Sequence, residues 1–148
     1  MKSAIKLLTG VNNNTAYIHD IAKLVEQDKK FAIFIIDVNG LKKVNDTNGH
    51  DKGNELIITV ARCISEVFGE EFVYRIGGDE FVAIKTNVND EKCIYLRELL
   101  KQKLLENKNI VKYSAAIGYS IFKTNKDFEQ VFKEADSNMY EDKKNMKI

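Results

Sequence analysis

Proline is absent from this chain of 148 residues and glycine is sparse, at 8 positions. No stretch is repetitive or low in complexity either, so no internal linker is expected and residues 1–148 read as one continuous domain. No apolar run approaches the roughly 20 residues that cross a bilayer. Residues 1–10 lack the apolar core and small-residue cleavage site of a secretory signal, and the expectation is a cytoplasmic protein. Charge of one sign is missing as well: Lys and Arg total 23 against 22 for Asp and Glu, which excludes an electrostatic footprint for nucleic acid or for a membrane surface. Only Cys63 and Cys93 carry thiols. Both sit among apolar residues at helical spacing, which fits free thiols in a reducing compartment better than a disulfide or a metal pair.

What is present is a sequence of well-separated apolar patterns. Residues 13–29 place Tyr17, Ile18, Ile21, Leu24 and Val25 at helical spacing, and residues 31–36 form a continuous apolar run of strand length. Residues 41–45 suggest one or two helical turns, and residues 54–68 present Leu56, Ile57, Val60, Ala61, Ile64 and Val67 as a second amphipathic face. Residues 71–76 and 81–85 are β-rich runs around Gly77 and Gly78, whose freedom to take positive φ suits a tight hairpin. Asp90 is the expected cap of a helix ending near Asn107, residues 110–120 are strand-like, and residues 126–144 form a last helix starting near Asp127. Helices and strands in this order predict an α+β sandwich with an antiparallel or mixed sheet.

Two acidic stretches stand out, FIIDVNG and RIGGDEF. Taken singly, each has an ordinary explanation, a strand running into an Asn-Gly turn and a soluble hairpin tip. Taken together they place Asp37 at the rim end of a buried strand and Asp79 and Glu80 on a turn that reaches the same rim if the hairpin pairs beside that strand. Carboxylates crowded this way repel unless cations intervene. Magnesium, which takes oxygen ligands and bridges to phosphates, is the usual partner.

The residues then resemble a known family. Gly77-Gly78-Asp79-Glu80-Phe81 matches the signature of the GGDEF domains, the bacterial diguanylate cyclases. DVNGLKKVNDTNGHDKGNEL resembles the family's DxDxFKxxND…GHxxGDxxL segment, LTGVNN its opening LTGLxN, SAAIGYS its late strand and ADSNMYEDKK its closing helix. The resemblance implies a nucleotide-cyclase-like (ferredoxin-like) sandwich with a mostly antiparallel sheet of about five strands, the signature lying on a β-hairpin turn. It implies that two GTP-loaded domains face each other as half-sites of a homodimer, giving cyclic di-GMP and two pyrophosphates. Asp37, Asp79 and the Val38 carbonyl would hold two Mg2+ or Mn2+ ions per half-site, with Glu80 at the same cluster and helping to deprotonate the attacking hydroxyl. The backbone of Gly40 and Leu41, with Lys42, Lys143 and Lys147, would contact phosphates. Gly77 and Gly78 would lie against the substrate, and Asn45 and Asn54 would meet the guanine edge. A sensory or receiver domain, or a partner protein, would drive pairing. Arg75 is assigned no more than strand-edge pairing.

Departures from the pattern matter. Asn39 stands where a second Asp is usual. Asn54 replaces the Asp that accepts two guanine N–H groups, and an amide presents one donor and one acceptor instead. Relaxed selectivity toward ATP or a mixed cyclic dinucleotide, or a non-catalytic GTP-binding regulatory module, are therefore the alternative functions. The inhibitory RxxD falls on Phe68 and Glu71, so product inhibition through that site is not expected. Lys6, Asn14 and Thr15 replace the usual Asp and Arg near the opening motif, which puts the coupling of the first helix in question.

Overall fold

A computed structural model describes residues 8–107, 115–124 and 126–146. The apolar run becomes β1, Phe31–Val38, buried along its whole length. It is buried on both sides, which explains why its sequence is continuously apolar instead of alternating. Before it, α1 spans Asn14–Glu26, and the Asn13 side chain caps it by accepting from the Ala16 N–H. After β1, Gly40 takes φ +73 and turns the chain into α2, Leu41–Asn48. A left-handed residue there favours glycine because a Cβ would crowd the following carbonyl. The longer α3, His50–Phe68, leads through a single 3₁₀ turn at Glu70–Phe72 into β2, Val73–Arg75, and then β3, Glu80–Thr86. Helix α4 is Asp90–Glu106, β4 is Ala115–Phe122 and α5 is Phe128–Asn145.

The described strands form one antiparallel sheet in the order β2-β3-β1-β4. Four strands stand in it where about five were expected. The α+β reading holds: helices cover both faces. On one face Phe34, Ile36 and Val38 pack with Ile57, Ile64 and Phe68 of α3 and with Leu96 and Leu100 of α4. On the other, Phe31, Ile33 and Ile35 pack with Tyr17 and Ile21 of α1 and with Val131, Ala135 and Met139 of α5. The alternation follows from the two-residue period of a strand.

Several expectations need correction. The stretch at 71–76 is a strand only from Val73 to Arg75. Helix α3 begins four residues before Asn54, at His50. The cap of α4 is Asn89, whose side chain accepts from the Lys92 N–H at 2.9 Å, not Asp90. Ser114 and the rest of 110–114 lie outside the described residues, as do Lys6 and Lys147. Both cysteines are buried free thiols, and burial pushes Cys93 up to about 11, consistent with an unreactive packing role.

Helix α5 is held unusually close to the sheet. A Cβ on Gly118 of β4 would fall 2.1 Å from the Met139 amide nitrogen and 2.4 Å from the Ala135 carbonyl oxygen. Polar groups on one stripe of α5 then fasten it along β4. Glu134 accepts from the Ser120 hydroxyl at 2.8 Å, the Asn138 amide donates to the Tyr119 carbonyl at 3.0 Å, and Asp142 accepts from the Ile117 N–H at 2.8 Å. Residues 134, 138 and 142 are one helical turn apart, so they line a single face.

Candidate active site

Strand register brings the acidic residues together. In the β1–β3 ladder Asp37 is the direct partner of Glu80, a placement in which Cα atoms stand about 4.5–5.5 Å apart and both side chains leave the same face. One step on, the Val38 N–H donates to the Asp79 carbonyl at 2.7 Å, so the rim of β1 is bonded to the signature turn. That face is the α1/α5 side, because Asp37 continues the odd-numbered series of Phe31, Ile33 and Ile35. Asp37 is almost wholly buried, at 7% exposure.

The hairpin turn occupies residues 76–79, between Arg75 and Glu80. The expected positive φ at Gly77 and Gly78 does not occur: the left-handed glycines of the described residues are Gly10, Gly40, Gly49 and Gly69. The loop is long enough to reverse the chain without them, closed by the Ile76 and Gly77 N–H groups donating to the Glu80 carbonyl. Neither glycine is required by close contact, since a Cβ on Gly78 would meet nothing within 4 Å and one on Gly77 only the Glu80 Cβ at 3.8 Å, and without side chains both leave the tip of the turn open. Arg75 does more than pair at a strand edge. Its guanidinium donates through Nε and Nη2 to the Gly78 carbonyl and so braces the turn from below.

Electrostatics reflect the crowding. Burial, followed by the charges of Asp136, Asp37 and Asp79, pushes the Glu80 carboxyl above its usual range. Asp136, on α5, was not picked out as a site residue, although it lies within the ADSNMYEDKK block; its signal was helical phase, one turn after the half-buried Phe132 and next to the buried Ala135. Tyr17 is also raised, by burial and then by Glu80. The one cation bonded to Asp37 among the described residues is Lys143, whose Nζ donates to Oδ2 at 2.8 Å. That hydrogen bond is the main reason the Lys143 ammonium is raised.

The other expected substrate contacts lie in the turn after β1 and on α2 and α3. Gly40, Leu41 and Lys42 form the turn from β1 into α2, with Lys42 exposed. The first-turn N–H groups of such a helix have no intrahelical acceptor. The Asn45 amide lies against Gly53, where a Cβ would sit 1.6 Å from its Oδ1, and the exposed Asn54 is the next residue along α3. Phe68 is 3% exposed and packed on Phe34, so it has no surface to offer an inhibitor, while Glu71 is exposed in the 3₁₀ turn. The first helix is coupled to the sheet despite its atypical residues. The Asn12 N–H donates to Val73 and its carbonyl accepts from Arg75, and the Tyr74 hydroxyl donates to Asp20 at 2.6 Å.

Does this donor set suit a metal? Asp37, Asp79 and Glu80 offer hard oxygen atoms, and their mutual repulsion is what a divalent cation would relieve. Among the described residues no three acidic, imidazole or thiol groups already stand as a cage, and Lys143 holds one Asp37 oxygen. The set fits the ion chemically.

The family model described as "Diguanylate cyclase, GGDEF domain" matches residues 4–147, and the chain belongs to that family. Diguanylate cyclase DosC of Escherichia coli strain K12 is 27% identical over 133 residues, covering 85% of this chain and 29% of the relative. An uncharacterized membrane protein of Staphylococcus saprophyticus is 28% identical over 149 residues, covering 92% of this chain and 42% of the relative. The chain thus spans less than half the length of these curated relatives. The GGDEF domain of DgcB from Caulobacter crescentus, solved in complex with c-di-GMP, superposes with a TM-score of 0.80 at 23% identity, covering 94% of this chain and 89% of that one. Among the described residues no helix is long and apolar enough to cross a membrane.

Proposed function

We propose that the chain is a diguanylate cyclase that condenses two GTP into cyclic di-GMP and two pyrophosphates across a homodimer of half-sites. The observation that carries this is the register pairing of Asp37 with Glu80, with Asp79 bonded beside them through Val38. Three carboxylates on one rim, next to an open glycine turn, are costly for a structural domain and useful to a phosphoryl-transfer site. Asp37, Asp79, Glu80 and the Val38 carbonyl would hold Mg2+ or Mn2+. When bound, the ions neutralise phosphate charge and align attacking and leaving oxygens.

The chain's own groups supply the rest. The turn at Gly40 and Leu41 would present backbone N–H groups to the terminal phosphates, with Lys42, Lys143 and Lys147 as counter-charges. Gly77 and Gly78 leave room for the nucleotide to lie on the turn, which Arg75 keeps from collapsing. Glu80, beside the metal cluster, would accept the proton of the attacking 3′-hydroxyl as a general base. Asn45 and Asn54 meet the guanine edge. Each half-site holds one GTP, so a second copy of the chain must bring the other; a sensory or receiver domain or a partner protein would set that pairing in the cytoplasm.

Incubation with GTP, ATP or both, plus Mg2+ or Mn2+, followed by mass spectrometry of products, tests the reading. Cyclic di-GMP formed at a rate rising with the square of protein concentration, and lost in Asp79→Ala, is the expected outcome. Tight GTP binding without pyrophosphate release would instead make the chain a regulatory GTP-binding module.

A second reading has its own observation. Asn54 is exposed beside the Asn45–Gly53 contact, where an amide turns a donor toward a guanine donor. Losing a bidentate contact costs about 1–3 kcal/mol of discrimination. The GTP-to-ATP ratio of kcat/KM is therefore expected to rise about 10-fold or more in Asn54→Asp; equal ratios in both proteins would remove the idea of relaxed selectivity.

A further inference from the structure

Asp37 and Lys143 form a mismatched pair. The carboxylate side chain is 10% exposed and the lysine side chain 43%. Asp37 is also immobile: it lies within the β1–β3 and β1–β4 ladders, and the next residue is bonded to Asp79. Lys143 is free to move, being a flexible four-carbon stem near the end of α5. An ammonium and a divalent ion cannot share one carboxylate oxygen without strong like-charge repulsion. Asp79 adds a weaker attraction to the same ammonium, so Lys143 stands beside the carboxylates a metal would use.

We propose that Lys143 is a displaceable stand-in cation: it neutralises Asp37 while the site is empty of metal, leaves when a divalent ion binds, and then turns to the triphosphate. This rests on reading Asp37 as a metal ligand. Two consequences follow from thermodynamic linkage. Metal binds weakly without nucleotide, because at Oδ2 it must displace the ammonium from a buried carboxylate. Nucleotide strengthens metal binding, because its phosphates give the released ammonium a new partner, and metal strengthens nucleotide binding by the same factor. The lysine thereby makes the site accept metal and nucleotide together in preference to either alone.

The test is a Mn2+ titration of the whole chain by electron paramagnetic resonance, with and without a GTP analogue that cannot be cleaved at the α-phosphate. Lys143→Met keeps the stem and removes the charge; Lys143→Gln is a second neutral variant, and circular dichroism identifies any that fails to fold. In the absence of nucleotide either neutral variant should bind Mn2+ about 5-fold or more tightly than the native chain, and the gain produced by the analogue should shrink. Asp37→Asn should lose Mn2+ in both conditions. If the neutral variants bind Mn2+ no more tightly while Asp37→Asn loses it, Lys143 is not a competitor and the metal assignment stands alone. If Asp37→Asn keeps the native affinity, the metal assignment falls and the stand-in role falls with it.

Discussion

The two faces of the sheet are built from the same strands and do different work. The α3/α4 face is apolar throughout its core, with Phe34, Ile36, Ile64 and Leu100 fully shielded from water. The α1/α5 face begins the same way with Phe31, Ile33 and Ile35, then at Asp37 the next position in phase carries a charge. There the cover changes from hydrocarbon to Glu80, Asp136, Tyr17 and Lys143. One face therefore supplies stability with no charged group in its core, and the other spends part of its burial on charges that oppose one another. A strand's two-residue period lets both be encoded in eight residues.

The difference can be broken most strongly from the inert side. Ile64→Ala should cost about 2–5 kcal/mol of unfolding free energy in urea, with Mn2+ affinity of the folded fraction unchanged; a large loss of affinity would mean the faces are not separable. Gly118→Ala is the sharper probe of the other side. Alanine in place of glycine within a strand ordinarily gains about 0.5–1 kcal/mol, but here the added methyl meets the α5 backbone, and a loss of about 1–3 kcal/mol is expected. A gain would show that α5 yields easily.

The smallest effect is the most specific. Glu80 is raised in the folded chain, whereas unfolded it ionises near the ordinary value of about 4.3. The folded state thus binds this proton more tightly, so the group's contribution to stability is fully present below about pH 4.3 and declines as pH rises through its folded pKa. Without metal at neutral pH, Glu80→Gln should raise stability, by no more than about 1 kcal/mol because water screens a partly exposed carboxylate. Thermal melts between pH 4 and 8 read this out. Unchanged pH dependence in the variant would place the repulsion elsewhere.

How much of this was legible beforehand divides along the same line. The helices and β1 were visible because apolar spacing reports burial, and the carboxylates because the motifs named them. Register was not, since nothing local says that Glu80 faces Asp37; it follows from long-range packing, from which faces of β1 and β3 are covered. The role of Arg75 on the Gly78 carbonyl and the α5 stripe of Glu134, Asn138 and Asp142 stayed hidden for a related reason. Each is a polar side chain bonded to a group on another element, and its sequence looks like ordinary solvated surface. The glycines misled because a glycine pair signals positive φ or open space equally well, and here it is space.

The claim underneath all of this is that Asp37 and the signature carboxylates act as one cation site. A double-mutant cycle tests it directly: Mn2+ affinity at saturating non-cleavable GTP analogue, for the native chain, Asp37→Asn, Asp79→Asn and the pair. A shared site predicts that either single change removes nearly as much affinity as both, so the losses fail to add. Additive losses, or a single variant that binds like the native chain, would contradict it.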